Sequence, residues 1–477
     1  MFIIKTYQDL LAIGETEKDR MDFVLSAIQE HKQSEQYRVA RDAELYYKHQ
    51  NPTIMRFQKF VYNQFGKKVP DIWSPNNKIA SNWYNYFVTQ GVQYLLGNGV
   101  SFSDTEKITN EDGEIVFIDH TKEKLGKKFD RRIVELATHA KNGGVGFGFW
   151  NKDHLEVYSV TEFVPLYDEE NGSLMAGIRF WQIDDTRPLR ATLFELDGYT
   201  DYIKRNNEDI AILNDKRTYI QIVKTSEIDG EQIFDGENYP SFPIVPMFNV
   251  NKQSELVGNQ GTVDAYDLMI SGLINNVSSG EFLYWVLSNC DGMDDADVAK
   301  FVEQLTLTHF AKMDHSDEGS KAEAHKAEVP FQASAEALDR LEKQLYKDFM
   351  ALKVDDISAG ATNDQIQSAY EPLNQKTDDF EYMVTDFIEG ILALVGIDDT
   401  PTYTRSQLSN RAEILQNVLS ASEYLDTEYM TQKVLTLLGD GDKFEEVMQR
   451  KASEEIGRYS TTPPIEGGQN LPPQQMQ

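Results

Sequence analysis

The residues that could do chemistry in this sequence are mostly acidic, and none of them has a known catalytic spacing. Four aspartates lie between positions 291 and 297, but a calcium loop needs ligands at alternate positions and a closing glutamate. His315 and His325 flank acidic residues without a nearby cysteine, which is poor zinc spacing. We therefore expect a solvated acidic cluster, with no metal site and no catalytic residue.

The glycine-rich run at 143–148 is similar to a nucleotide loop only superficially. A dinucleotide fingerprint needs a glycine where Phe149 stands, and it needs a helix after it, whereas a strand pattern follows here. We interpret the run as a flexible lead into a β region. The sequence has no phosphate-binding lysine loop, and Cys290 has no histidine near it, so we expect no cofactor.

The net charge of −32 over 477 residues permits three interpretations. It argues against a nucleic-acid partner, because duplex DNA is bound chiefly by neutralising its phosphates. It is also typical of simple solubility, and of a protein that DNA must pass without sticking. The single cysteine suits a reducing cytoplasm. No signal peptide and no apolar span is visible, so we expect no membrane association.

The first half of the chain changes from helical to β patterning. Residues 1–70 are predicted to be helical, and a second helix is predicted from Asn77, capped by Asn76-Asn77 and stopped by Gly97. Another helix is expected over 127–142. From Val145 to about Val250 apolar and polar residues alternate, and Asn171-Gly172 is a hairpin signal. This stretch is predicted to be an antiparallel β region.

Two long helices flanking a small insert dominate the next part. The first is predicted from Thr262 to about Leu287, and the second begins at Ser334, which caps it. The insert is predicted to hold a helix at 298–304 and strands at 306–313 and 324–331. Because both helices adjoin the same insert, they must run antiparallel. The expected shape is a stalk with a knob.

A third long helix follows a linker of small and acidic residues. Its apolar stripe consists of Ile366, Tyr370, Leu373, Phe380, Phe387 and Ile391. Pro372 lies inside it and predicts a kink. Short helices are expected over 404–458, and the proline- and glutamine-rich tail at 460–477 is expected to be disordered. The predicted fold class is α+β and mainly helical.

Three stretches resemble the SPP1-type portal family of tailed bacteriophages. The first is Asn76-Asn77-Lys78-Ile79, continuing to Tyr94-Leu95-Leu96-Gly97. The second is Phe242-Pro243-Ile244-Val245-Pro246, followed by Val263-Asp264-Ala265-Tyr266-Asp267. The third runs from Asn289-Cys290-Asp291-Gly292 through Ala327-Glu328-Val329-Pro330 to Gly360-Ala361-Thr362. Together they cover about residues 75 to 455.

The resemblance implies a portal fold assembled as a ring, usually a dodecamer, around a channel for packaging and ejecting double-stranded DNA. Its implied parts are the N-terminal helical part of the wing (1–75), wing (76–258), first stem helix (259–288), clip (289–331), second stem helix (332–353), tunnel loop (354–363), kinked long helix of the wing (364–397), crown (398–459) and tail (460–477). Implied partners are the terminase large subunit, the head-to-tail adaptor, and the capsid and scaffold proteins. The implied location is the unique capsid vertex of the virion, after assembly in the host cytoplasm.

The resemblance also suggests site residues. The tunnel-loop candidates are Asp355, Asp356, Ile357, Ser358, Gly360, Thr362 and Asn363. The candidates for docking the motor or adaptor on the clip are Asp294, Asp295, Asp297, His315, Asp317 and Glu318. Lys343 and Lys347 could contact DNA from the stem, although a solvated helix face explains them equally well.

The acidic linker fits such a role, because no basic residue lies between Lys353 and Lys376. A ring would multiply its charge and repel phosphates. The apolar stripes that join the two stalk helices do not include Phe282, Trp285 and Met350. We expect neighbouring subunits to cover these three side chains, which predicts obligate oligomerisation. The alternatives are a plain helix–helix connector for the linker, and for the whole chain another phage head–tail protein, such as a minor head or adaptor component. A carboxylate- or metal-dependent hydrolase is a further alternative.

Overall fold

The structure is a computed structural model of the full chain. It describes residues 5–451 apart from 15, 63–65, 73, 110–114, 206–207, 226–231, 280–282, 289–295, 298–299, 301–302, 304–320, 327–330, 358–360, 408–410, 422–423, 440 and 445. Helices and antiparallel sheets occupy largely separate stretches, which confirms the α+β, mainly helical fold class.

Twelve helices are defined within the described ranges. They are α1 Tyr7–Leu11, α2 Glu17–Gln33, α3 Glu35–Tyr47, α4 Pro52–Arg56, α5 Trp83–Leu96, α6 His120–Leu125, α7 Phe129–Gly143, α8 Gln260–Ser279, α9 Phe331–Asp348, α10 Asn363–Val395, α11 Arg411–Ser420 and α12 Thr427–Leu438. Short 3-10 turns lie at Val250–Lys252, Val354–Asp356 and Gly441–Lys443.

The strands of the described chain form antiparallel sheets and hairpins. They are β1 Phe60–Tyr62, β2 Lys68–Pro70, β3 Val100–Ser101, β4 Thr105–Thr109, β5 Ile115–Asp119, β6 Val145–Asn151, β7 His154–Ser159, β8 Phe163–Tyr167, β9 Leu174–Trp181, β10 Leu189–Glu195, β11 Gly198–Lys204, β12 Ile210–Arg217, β13 Ile220–Thr225, β14 Gln232–Glu237, β15 Ile244–Phe248, β16 Leu283–Ser288, β17 Lys321–Lys326 and β18 Thr402–Tyr403.

The predicted β region is confirmed. Strands β8 to β12 form a five-stranded meander, and helix α2 packs its buried Phe23, Val24 and Ala27 on it. Strands β15, β6 and β7 form a second sheet covered by α7 and the long helix α10. Asn171-Gly172 does lie in the β8–β9 hairpin, where Gly172 has a φ of 71° that glycine tolerates. Alternation of apolar and polar residues therefore located this region correctly.

The interpretation of 143–148 as a flexible lead is wrong. Gly144 ends α7 in the left-handed conformation, and Gly146 and Gly148 belong to the buried strand β6. A Cβ on Gly148 would lie 2.4 Å from the Phe387 ring of α10, and one on Gly146 would lie 2.8 Å from the Leu136 side chain. Close contact between sheet and helices requires these two glycines.

The stalk is confirmed, with different bounds. Helices α8 and α9 pack against each other antiparallel, since Thr262 near the start of α8 donates to Asp348 at the end of α9 (2.7 Å). The helix predicted to reach Leu287 ends at Ser279, and β16 continues the stalk by pairing with β17. Helix α9 begins at Phe331, before the predicted cap Ser334, and the predicted strand 324–331 is Lys321–Lys326.

The helix predicted from Asn77 begins at Trp83, because residues 76–82 run along α8 without helical structure. The backbone N–H groups of Asn77, Ile79 and Ser81 donate to side chains of α8, at 2.7, 3.0 and 3.0 Å. The three acceptors are Asn275, Ser271 and Asp267. Two extended residues advance about 6.6 Å and four helical residues about 6 Å, so the spacings match. We call this arrangement the ladder.

Two other predictions near these elements have clear outcomes. Residues 60–62 and 68–70, expected to be helical, pair instead as the strands β1 and β2. Helix α10 is confirmed, with all six stripe residues buried and Pro372 inside it, while the kink at Pro372 stays a prediction. The strand at 306–313 and the tail at 460–477 lie outside the described residues, as does most of the helix at 298–304.

Replacing Gly148 with alanine should lower the free energy of unfolding by about 1–3 kcal/mol, because the new methyl group overlaps the Phe387 ring. Urea denaturation followed by tryptophan fluorescence measures the change. The matched control is Gly261→Ala in α8, where no atom lies within 4 Å of the new Cβ. Equal stability of both variants and the parent would contradict the tight contact.

Candidate functional site

The candidate site is the junction where the second stalk helix, α9, is connected through residues 349–362 to the long helix α10. Its first part is held by a paired amide contact. The Leu352 N–H donates to the Gln90 side-chain oxygen (3.0 Å), and the Gln90 amide donates to the Leu352 carbonyl (2.9 Å). Gln90 lies on α5, whose Phe87 stacks on Phe349 with ring centroids 4.6 Å apart. The segment that follows the C-terminal end of α9 is thereby fixed to α5.

The second part of the junction is held by helix capping and by burial. Thr362 caps α10 in a reciprocal capping box with Gln365, and the Asn363 N–H donates to the Glu413 carboxylate (2.9 Å). Ala361 is buried, and Ile357 packs against the cluster that contains it. The segment between α9 and α10, which we call the junction loop, is thus anchored on both sides of residues 358–360.

A buried group of three charges lies under the junction. Glu255, in the loop before α8, pairs with Lys141 of α7 and with Lys376 of α10, whose ammonium lies 2.9 Å from the carboxylate. Lys376 also donates to the carbonyl of Phe349 (3.0 Å), the residue that follows α9. The Lys141 ammonium lies 4.2 Å from the Phe380 ring centroid, in favourable cation–π geometry. These three residues, which we call the charge triad, join four elements.

The triad shifts the pKa of its carboxylate strongly. Burial alone would raise the pKa of Glu255, but the ammonium groups of Lys141 and Lys376 outweigh it and lower the pKa to about 2. Glu255 therefore stays ionised at every physiological pH.

The predicted site residues fall into different parts of the structure. Asp355 is exposed in the 3-10 turn of the junction, and Ile357 is half-buried beside it. Lys343 and Lys347 are exposed on α9. Asp297 is partly exposed on the insert. Ser358, Gly360, Asp294, Asp295, His315, Asp317 and Glu318 lie outside the described residues, and so does the side chain of Asp356.

The structure adds residues that sequence reasoning missed. Lys353 directly precedes the stretch without basic residues. Its ammonium lies 2.8 Å from the Glu342 carboxylate and over the Tyr346 ring. Neither Gln90 nor the charge triad belongs to a sequence motif, because the residues that they contact lie more than 100 positions away along the chain. No sequence signal could have found them. Among the described residues, no group of three or more histidine, cysteine or acidic side chains could hold a metal ion.

Comparison with known proteins assigns this architecture to a family. A family model described as "Phage portal protein, SPP1 Gp6-like" matches residues 26–455. The portal protein of Bacillus phage SPP1 is 22% identical over 409 residues, covering 77% of this chain and 74% of that protein. The portal protein of Clostridium phage phiCD119 is 26% identical over 368 residues, covering 71% of this chain and 77% of that protein.

Solved structures give a looser likeness. A chain in the neck of an empty GTA particle has a TM-score of 0.39 at 8% identity, covering 75% of this chain and 90% of that one. A chain in the neck of a native GTA particle has a TM-score of 0.36 at 9% identity, covering 65% and 79%. No helix among the described residues is long and apolar enough to cross a membrane.

Replacing Glu255 with glutamine should cost about 3–5 kcal/mol of unfolding free energy, because it leaves two buried ammonium groups without a counter-charge. The carboxylate's stabilising effect is present above its unfolded pKa of 4.5 and is lost as the pH falls towards about 2. Urea denaturation between pH 7 and pH 2.5 should therefore show a loss of stability in the parent protein that this variant lacks.

The control for this experiment is Glu135→Gln, which breaks the half-exposed pair with Arg132. It should change the unfolding free energy by less than about 1 kcal/mol. If both variants lose equally little, the triad does not hold the junction.

Proposed function

Because this chain belongs to the phage portal protein family of the SPP1 Gp6-like type, we propose that it forms a ring around an axial channel for double-stranded DNA. The chain is a portal subunit. The ring is proposed to be a homododecamer at the unique vertex of the virion, with its subunits assembling in the host cytoplasm. Its role is proposed to be structural rather than enzymatic.

The single observation that carries the channel proposal is the charge of the junction loop. Asp355 is exposed there, while both flanking lysines are neutralised inside the subunit: Lys353 by Glu342 and Lys376 by Glu255. The loop therefore presents acidic charge without accessible cations, and a ring would repeat it around the axis. Repulsion of phosphates acts over about 8 Å at physiological salt, so passing DNA would not adhere.

The remaining parts follow the same proposal. Residues 354–363 are the tunnel loop, α8 and α9 are the stem, and residues 289–331 are the clip that meets the terminase large subunit and later the adaptor. The β-rich region is the wing, facing capsid and scaffold proteins, and residues 398–459 are the crown. Met350, whose φ is 50° and which is 37% exposed, lies where a neighbouring subunit could cover it.

Electron microscopy of the purified oligomer viewed along its axis tests the ring. We expect a wide ring with a central hole, because the stalk leaves apolar residues such as Leu268 and Val277 exposed. A thin, smaller disc would indicate an adaptor instead. A folded monomer at every concentration in native mass spectrometry would overturn the ring proposal.

Replacing Asp355 and Asp356 together with lysine should leave ring assembly intact but slow or stall DNA translocation, because phosphates would then adhere to the loop. A packaging assay with purified motor and proheads measures the rate. The control is Glu208→Lys with Asp209→Lys, two exposed acidic residues in the wing. Unchanged packaging by the loop variant would rule out the tunnel-loop assignment.

A further inference from the structure

Residues 57–62 and 66–72 contain a pair of exposed strands that the described part of the chain leaves uncovered. We call these residues the apolar arm. Strands β1 and β2 pair antiparallel, and no residue of either strand is buried. Tyr62 is 75% exposed and Ile72 is 78% exposed, with Phe57, Phe60 and Val61 at least 40% exposed. A two-stranded hairpin alone in water is marginally stable, and clustered exposed apolar side chains mark an interaction surface.

The arm is presented at a fixed place. Before it, Asn51 caps α4 and donates to Asp264 and Asp267 of the stem helix α8. After it, the ladder holds Asn77 to the same helix. The base is closed by Lys59, which donates to the Pro75 carbonyl (2.7 Å). Both ends of the arm are thus tied to α8.

The arm is basic within an acidic protein. Its net charge is +2, from Lys59, Lys67 and Lys68 against Asp71. The whole chain has a net charge of −32, so the residues outside the arm together carry −34. The Lys68 ammonium lies 4.3 Å from the Phe60 ring centroid, which joins the basic and apolar features on one surface. A complementary partner presents acidic groups together with an aromatic or apolar side chain.

The long helix α10 has such a surface. Its solvent face, which we call the acidic face, carries Glu371, Asp378, Asp379, Asp386 and Glu389. The helix contains one basic residue, Lys376, and this is bound to Glu255 inside the subunit. Tyr382, at the middle of the acidic face, is 69% exposed.

The acidic face is poorly compensated. Within the described residues Arg405 pairs with Asp378, whereas no described cation pairs with Asp379, Asp386 or Glu389. Like charges along one helix face repel each other. A basic partner would relieve that repulsion.

Building on the proposed ring, we infer that the apolar arm of one subunit docks on the acidic face of α10 in the next subunit. Opposite charges and exposed aromatic rings meet there. The two surfaces are different parts of the chain, and a contact between unlike surfaces generates rings, whereas a two-fold dimer uses the same surface twice. A second copy fits better than DNA, because DNA could complement only the basic charge of the arm and would leave Asp379, Asp386 and Glu389 of the acidic face uncompensated.

Cross-linking tests the contact in assembled rings. In a Cys290→Ser background, Tyr62→Cys is combined in turn with Asp379→Cys, Tyr382→Cys or Asp386→Cys, and the rings are treated with a short bismaleimide. We expect at least one combination to give a ladder of covalent multimers on denaturing gels. The control combines Ile183→Cys, which is 83% exposed in the wing, with Tyr382→Cys, and it should give monomers.

The possible outcomes separate this inference from the proposed function. Rings that form without a ladder in any combination would overturn the docking contact and leave the portal ring intact. If the parent chain forms no ring at all, the proposed function itself fails.

Charge reversal provides an independent test. Lys67→Glu with Lys68→Glu should raise the concentration needed for ring assembly about tenfold, or ~1.4 kcal/mol. Asp379→Lys with Asp386→Lys should do the same, and combining all four changes should restore assembly to within about threefold of the parent, as in a double-mutant cycle. The control, Lys18→Glu with Lys48→Glu, reverses two other exposed lysines and should leave assembly unchanged.

Two results would overturn the contact here. One is failure of the fourfold variant to regain assembly when both pairwise variants still fold. The other is normal assembly of the arm variant with weakened DNA binding, which would make the arm a nucleic-acid contact instead.

Discussion

The junction of α7, α9 and α10 depends on one buried carboxylate, that of Glu255. It neutralises Lys141 from α7 and Lys376 from α10, and Lys376 in turn binds the Phe349 carbonyl just after α9. A buried charge is costly unless it is paired and hydrogen-bonded, so the triad stabilises the one arrangement in which these elements meet. The position of the junction loop therefore depends on the same pairing of charges.

Charge is sorted between the interior and the surface. The two lysines that flank the loop are both bound within the subunit, by Glu342 and by Glu255. The face of α10 that carries Tyr382 keeps its carboxylates in water. Part of the large negative net charge, which composition alone left open to three interpretations, thus lies on the junction loop and on the acidic face of α10.

Periodicity was enough to predict the β region, the stalk and α10, because each buries one continuous face within its own segment. It failed where distant residues decide. Residues 76–82 have good capping groups for a helix, yet α8 takes their N–H groups from nearly 200 positions away. The apolar run up to Leu287 could continue a helix or form a strand, and only its partner β17 decides between them. The loop's place was predictable, but the pairing of Lys353 and of the triad was not.

The ladder also has a mechanical consequence. Its three hydrogen bonds lie in one row along α8, roughly parallel to the stalk. A pull along the stalk strains all three together, whereas a sideways pull at Asn77 breaks them one after another. The joint between α8 and the segment before α5 is therefore stiff against axial tension and weak against peeling, so force applied along the stalk axis is transmitted to α5 better than force applied sideways.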